Sequence, residues 1–164
     1  MTNKLKNSVA LFDSALDGYF NSCRNYRSKI RKGTVLVVDD NSEIANFLRF
    51  LVEHCHLSIN VEQMSKASKA SDIRKCIDRM GAENVKAIIM DSHVWRVTAT
   101  AEWMDKNFPN IPIFISNCDP ESEPAIKTTA CRAGIMTTLH PLVDYVDALG
   151  LPDECHDVAI RYSC

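Results

Sequence analysis

The run Thr34-Val35-Leu36-Val37-Val38-Asp39-Asp40-Asn41 constrains this chain more than any other stretch. Four consecutive aliphatic residues, bounded by Gly33 and by two carboxylates, suit a strand buried on both faces, the environment of a central strand in a parallel sheet. Adjacent acids at the C-terminal end of such a strand put negative charge where open α/β folds bind ligands. Asn41 or Ser42 supplies a helix cap directly afterwards. The stretch therefore predicts a buried strand, a cation site at its tip and a helix that starts beside that site.

The remainder of the chain repeats the alternation of strand and helix. Ile44, Phe47, Leu48, Leu51 and Cys55 trace one face of a helix from Ser42 to about Cys55, and Leu57 to Gln63 follows as a weaker, partly alternating strand. Ala70, Ile73, Cys76, Ile77 and Met80 mark a second helix ending at Gly81. Lys-Ala-Ile-Ile-Met at 86–90 is another buried strand, again ending in an acid, Asp91. Trp103, Met104 and Phe108 predict a short helix before the strand Pro112 to Ser116. A helix from about Ser122 to Arg132, a short strand from Ile135 to Leu139 and a helix carrying Leu142, Tyr145, Val146 and Leu149 complete the series. Strands alternating with helices through right-handed crossovers give a parallel sheet covered on both faces.

With 164 residues, 46% of them hydrophobic, the expectation is one domain with a substantial core. The seven cysteines are odd in number and contain no C-x-x-C pair, so neither a zinc cage nor a disulfide framework is signalled, and reduced thiols are expected. No apolar run approaches membrane-spanning length and no secretory leader is legible, which predicts a soluble cytoplasmic protein. Charge is uneven: residues 1–33 hold seven Lys or Arg against two Asp, and the remainder twelve against nineteen Asp or Glu. The basic residues are spread rather than packed as a tract, so the acidic body is a better partner for this leader than nucleic acid or a membrane. Val9, Phe12, Leu16, Tyr19, Phe20 and Cys23 recur at helical spacing, predicting an N-terminal amphipathic helix over about 8–28. That helix either covers part of the domain or pairs with its copy in a homodimer. The chain thus divides into a helical extension (1–33), a domain (34–150) and a C-terminal tail (151–164) too short for an output domain.

A parallel sheet brings all its C-terminal strand ends to one edge, so Asp39, Asp40, Asp91, Ser116 and His140 converge although they lie far apart in sequence. Three carboxylates so placed repel one another unless a hard divalent cation, Mg²⁺ above all, occupies the space between them. With the charge neutralised, one carboxylate can attack a phosphoryl group.

These stretches, together with Ile-Pro-Ile-Phe-Ile-Ser at 111–116 and an Ala-Gly followed by a residue before proline, resemble the receiver domains of bacterial response regulators, CheY-like domains, over roughly Thr34 to Gly150. The resemblance implies a flavodoxin-like, doubly wound five-stranded parallel sheet in the order 2-1-3-4-5. It also implies a phosphoryl group received from a histidine kinase or phosphotransfer protein. Matched position by position, Asp39 and Asp40 resemble the magnesium-binding pair, Asp91 the phosphorylated aspartate and Ser116 the switch hydroxyl. The backbone carbonyl of His93 resembles the third metal ligand from the protein. The expected role is that of a stand-alone signalling domain in a phosphorelay, not an enzyme.

Four departures from that pattern define an alternative. His140 stands where such domains carry a phosphate-binding lysine, and a histidine is shorter and mostly neutral near pH 7. The loop after Asp91 reads Ser-His-Val-Trp-Arg-Val-Thr in place of the usual Met-Pro-rich turn, and Thr137 replaces the aromatic switch residue. Only 25 positions separate Asp91 from Ser116, implying a short third helix or a remodelled loop. The alternative is an atypical receiver, or pseudo-receiver, that acts as a protein interaction module without phosphorylation. A haloacid dehalogenase-type phosphatase is a third reading, but its first motif needs an acid two residues after the nucleophile, where this chain has Asn41.

Overall fold

The run that begins at Thr34 sits at the heart of a parallel sheet. In the computed structural model, which describes residues 30–65, 69–94, 96–116, 136–137 and 142–162, the strands are β1 (Lys32–Val38), β2 (Ser58–Met64), β3 (Val85–Asp91) and β4 (Ile113–Ser116). They lie in the order β2-β1-β3-β4, all parallel. Met136–Thr137, here β5, pairs in parallel with Phe114 and Ile115 at the outer side of β4. The four-stranded core agrees with the flavodoxin-like expectation. Of the expected fifth strand, Ile135 to Leu139, only these two residues are described.

Side chains alternate across β1, and each half of the alternation seeds one core. Val35 and Val37 join Ala87, Ile89 and Phe114 on one face, packed by Phe47, Leu48 and Leu51 of α1 (Glu43–His54). Tyr145 and Val146 of α4 (Val143–Ala148) cover the same face. Leu36 and Val38 join Ile88, Met90 and Ile115 on the other, beneath Ile73 and Ile77 of α2 (Ala70–Met80) and Ala101 and Met104 of α3 (Val97–Asn107). Each such buried aliphatic side chain contributes about 1.5–3 kcal/mol, so the two-sided pattern of β1 explains both its central place and its strictness of register. β2 is mostly half-exposed, as suits an edge strand.

Two glycines shape the entry to β1 and the exit from α2. Gly33 has φ +116°, and a Cβ there would lie 2.6 Å from Lys86 Cγ and 2.7 Å from the Asn84 carbonyl. The β1–β3 register slips at this point, from Thr34 opposite Val85 to Val35 opposite Ala87, leaving Lys86 as an extra residue. Gly81 (φ +83°) ends α2 ahead of a 3₁₀ turn, Ala82–Asn84.

Two segments differ from expectation. The helix after β3 is not short: α3 has 11 residues, as many as α2. The economy lies in the connection, where the Val94 N–H donates to the Asp91 carbonyl at 3.0 Å and Arg96, just ahead of α3, is in the left-handed region at φ 49°. Past Gly150, the segment expected as a tail contains α5 (Glu154–Tyr162), whose Cys155 and Ala159 are buried in the α1 side of the core. The Tyr162 ring packs on Phe47 and Phe50 with centroids 5.3 and 4.9 Å away. The expected N-terminal helix and the helix from Ser122 to Arg132 lie outside the described residues.

Candidate metal centre at the strand ends

The strand registers dictate where the acids meet. Val38, the last residue of β1, is opposite Met64 of β2 and Met90 of β3, so Asp39 leaves β1 level with the ends of both neighbours. Asp91 closes β3 directly opposite Ser116 of β4. One carboxylate oxygen from each of Asp39, Asp40 and Asp91 falls within 4.8 Å of the others. Asp39 and Asp91 are buried, whereas Asp40 is exposed.

Local hydrogen bonds hold the first acid in place. The Asn41 N–H donates to Asp39 Oδ1 at 2.8 Å, and Asn41 Oδ1 in turn accepts the Glu43 N–H at 3.0 Å at the start of α1. The Gln63 amide donates to the backbone carbonyls of Asp39 and Asn41 at 3.1 and 3.3 Å, tying the turn to the edge strand. Ser42, at the N-cap position, makes no side-chain cap bond, so Asn41 performs that task. Asp39 Oδ2 is buried with no hydrogen-bond partner among the described residues.

Such an arrangement is electrostatically uncomfortable without a cation. Burial raises the Asp39 pKa above 3.8; the Asn41 N–H opposes this, the charges of Asp91 and Asp40 add to it, and His93 offsets part. The all-oxygen donor set, gathered within 4.8 Å, and the partnerless Asp39 Oδ2 are compatible with Mg²⁺, a hard cation that takes oxygen ligands.

Around the acids stand the other candidates. Ser116 is fully buried, and its hydroxyl reaches the Met90 carbonyl only at 3.5 Å, long for an O–H···O bond. Its backbone carbonyl accepts the Ser92 N–H at 2.9 Å, linking the β4 tip to the loop after Asp91. The His93 ring, 75% exposed, places Nδ1 3.2 and 3.3 Å from the two Asp91 oxygens. This ring contact is not legible in the sequence, since it depends on how the loop turns rather than on spacing. His140 and Trp95 lie outside the described residues. His54 and His56 flank the end of α1: His54 Nδ1 lies 3.0 Å from the Phe50 carbonyl and its ring stacks on Phe50 at 3.8 Å.

The chain matches no protein-family model and no curated protein sequence. Its architecture, however, matches solved structures. The isolated receiver domain of RcsB from Salmonella enterica serovar Typhimurium, determined with the phosphomimetic BeF₃⁻, superposes with a TM-score of 0.57 at 14% identity, covering 78% of this chain and 98% of that one. A response regulator receiver domain from Clostridium thermocellum gives 0.53 at 18% identity, covering 80% and 96%. The signal receiver domain of an HD domain-containing protein from Pseudomonas fluorescens gives 0.57 at 14% identity, covering 81% and 93%.

The chain has the receiver-domain fold. At these identities the likeness concerns architecture, and the sheet order β2-β1-β3-β4 carries it. Within this receiver fold, the acid cluster occupies the C-terminal edge of the sheet, beside the crevice that open α/β folds use for ligands. Among the described residues, no helix is long and apolar enough to cross a membrane.

Proposed function

We propose that this chain is a response-regulator receiver domain of two-component signalling, cytoplasmic and not itself an enzyme, that accepts a phosphoryl group on Asp91. The carrying observation is the meeting of Asp39, Asp40 and Asp91 within 4.8 Å at one sheet edge, in a fold shared with receivers. On this reading the sheet has five strands in the order 2-1-3-4-5, and the basic N-terminal helix either covers the body or pairs with its copy.

Asp39, Asp40, Asp91 and the His93 backbone carbonyl would hold Mg²⁺. When bound, the ion neutralises the carboxylates and the charge on the incoming phosphoryl oxygens. An Asp91 oxygen supplies the nucleophile, a carboxylate attacking phosphorus while the donor imidazole of a histidine kinase or phosphotransfer protein departs. Asp39 is fixed beside the site by the Asn41 N–H. Ser116, weakly held where it is, turns its hydroxyl to a phosphoryl oxygen, and His140 contacts another in the place of a lysine.

The test is intact mass after incubation with acetyl phosphate and Mg²⁺. A gain of about 80 Da, the mass of one phosphoryl group, is expected for the parent and not for Asp91→Asn. A specific observation favours a second reading, the phosphorylation-independent interaction module: the His93 ring engages both oxygens of Asp91. That reading prevails if neither the parent nor His93→Ala gains mass.

A further inference from the structure

The basic leader joins the described body at one particular place. Ile30 is buried in the α1-side core that also holds Leu151, Cys155 and Ala159. Arg31 lines an open cavity of about 740 Å³ with Cys55, Leu151, Pro152, Asp153 and Glu154. Cys55 caps the C-terminal end of α1 and Glu154 opens α5, so the cavity lies where one helix ends and the other begins. From there α5 runs back along α1, because Tyr162 at its far end packs on Phe47 and Phe50.

The surface of this helix pair changes character along its length. At the cavity end Asp153, Glu154 and Asp157 are exposed. At the other end stand Ile160, 54% exposed, and Tyr162, 38% exposed, beside the half-buried ring of Phe50. Large apolar side chains exposed together mark a docking surface. Traced backward from Ile30, the leader has the complementary order: Lys29, Arg27 and Arg24 come first, followed by the apolar stripe Phe20, Tyr19, Leu16 and Phe12. Arg27 stands four positions past Cys23 and Arg24 four past Phe20, so on a helix both cations extend the apolar stripe. Nine positions separate Phe20 from Lys29 and nine separate Asp153 from Tyr162, about 14 Å along a helix in either case. Charge meets charge at the cavity end where apolar meets apolar at the far end.

We infer that residues 8–28 dock on the α1–α5 face of their own chain as an amphipathic helix antiparallel to α5, with Arg24 and Arg27 toward Asp153 and Glu154, and Leu16, Tyr19 and Phe20 over Ile160, Tyr162 and Phe50. The occupant is this leader and not the leader of a second copy, because Ile30 and Arg31 are already fixed at one end of the face. Docking of the residues just before them is then intramolecular, at a high effective concentration. It does not depend on phosphoryl transfer to Asp91.

Amide hydrogen exchange of the full-length chain, read by peptide mass, tests this. Peptides spanning 8–28 should exchange at least about tenfold more slowly in the parent than in Leu16→Asp, and equally so after about a hundredfold dilution. Ile160→Asp should remove that protection, and so should Asp153→Lys combined with Glu154→Lys, while peptides of β3 keep theirs. Adding Arg24→Glu and Arg27→Glu to the charge-reversed chain should restore it, which a merely unfolded α5 would not allow. Leader amides that exchange in the parent as fast as an unstructured chain overturn the proposal. Protection lost on dilution does so too, since a second copy would then be the cover, as does protection indifferent to both Ile160→Asp and the charge reversal. The comparison of the parent with Leu16→Asp leaves α1 and α5 unaltered, so poor folding of an α5 variant does not weaken the test.

Discussion

At the scale of single residues, Asp39 concentrates the logic of the site. It is 3% exposed, surrounded by like charge, and its pKa is raised above 3.8, with burial the largest cause. An acid whose folded pKa is raised contributes its stability in full below the unfolded value and loses it as pH climbs through the folded value. Metal-free protein should therefore lose Asp39's contribution as the solution is brought up from about pH 4, and Asp39→Asn should be spared that loss. Thermal melts in chelator at about pH 4 and about pH 7.5 test this: the Tm advantage of the variant should grow with pH. A difference flat with pH would contradict it. Saturating Mg²⁺ at the higher pH should favour the parent, which alone offers Asp39 to the ion. Ser116 leads to a milder expectation. Because its hydroxyl bond is 3.5 Å long, Ser116→Ala should cost less than about 1 kcal/mol of stability in denaturant titration.

Elements rest on fewer residues than their lengths suggest. Leu51 is wholly buried where α1 meets the sheet, so Leu51→Ala should cost about 2–5 kcal/mol by urea titration. Gly33→Ala should cost about 1–3 kcal/mol, since the new Cβ meets Lys86 and the Asn84 carbonyl at a positive φ; an unchanged urea midpoint would refute this account of the bulge. Much of the fold is legible for the same reason that β1 is: Val35-Leu36-Val37-Val38 leaves no polar face, and α1 and α2 show helical apolar spacing. What escapes reading depends on tertiary context. In α5 only Cys155 and Ala159 are buried, too sparse a stripe after Gly150-Leu151-Pro152 to announce a packed helix. The full length of α3 is hidden because a left-handed Arg96 lets the preceding loop be brief, and nothing in Ser-His-Val-Trp-Arg foretells that conformation.

For the molecule as a whole, parallel connectivity links distant sequence to a single edge. Asp39, Asp91 and Ser116 can be placed at one edge from the sequence because every strand of such a sheet ends on the same side, and the registers set Val38 opposite Met90 and Asp91 opposite Ser116. The His93 ring on Asp91 and the Asn41 bond to Asp39 cannot be foreseen, because they belong to the turns beyond the strands. The central claim is that acids from two chain segments share one divalent cation. Backbone amide NMR during a Mg²⁺ titration, followed by beryllofluoride, measures this residue by residue. Shifts should concentrate at 39–41, 91–94 and 116, saturate together, and largely vanish in Asp39→Asn. Absent shifts there, or saturation of Asp39 and Asp91 at different Mg²⁺ concentrations, would contradict a common site.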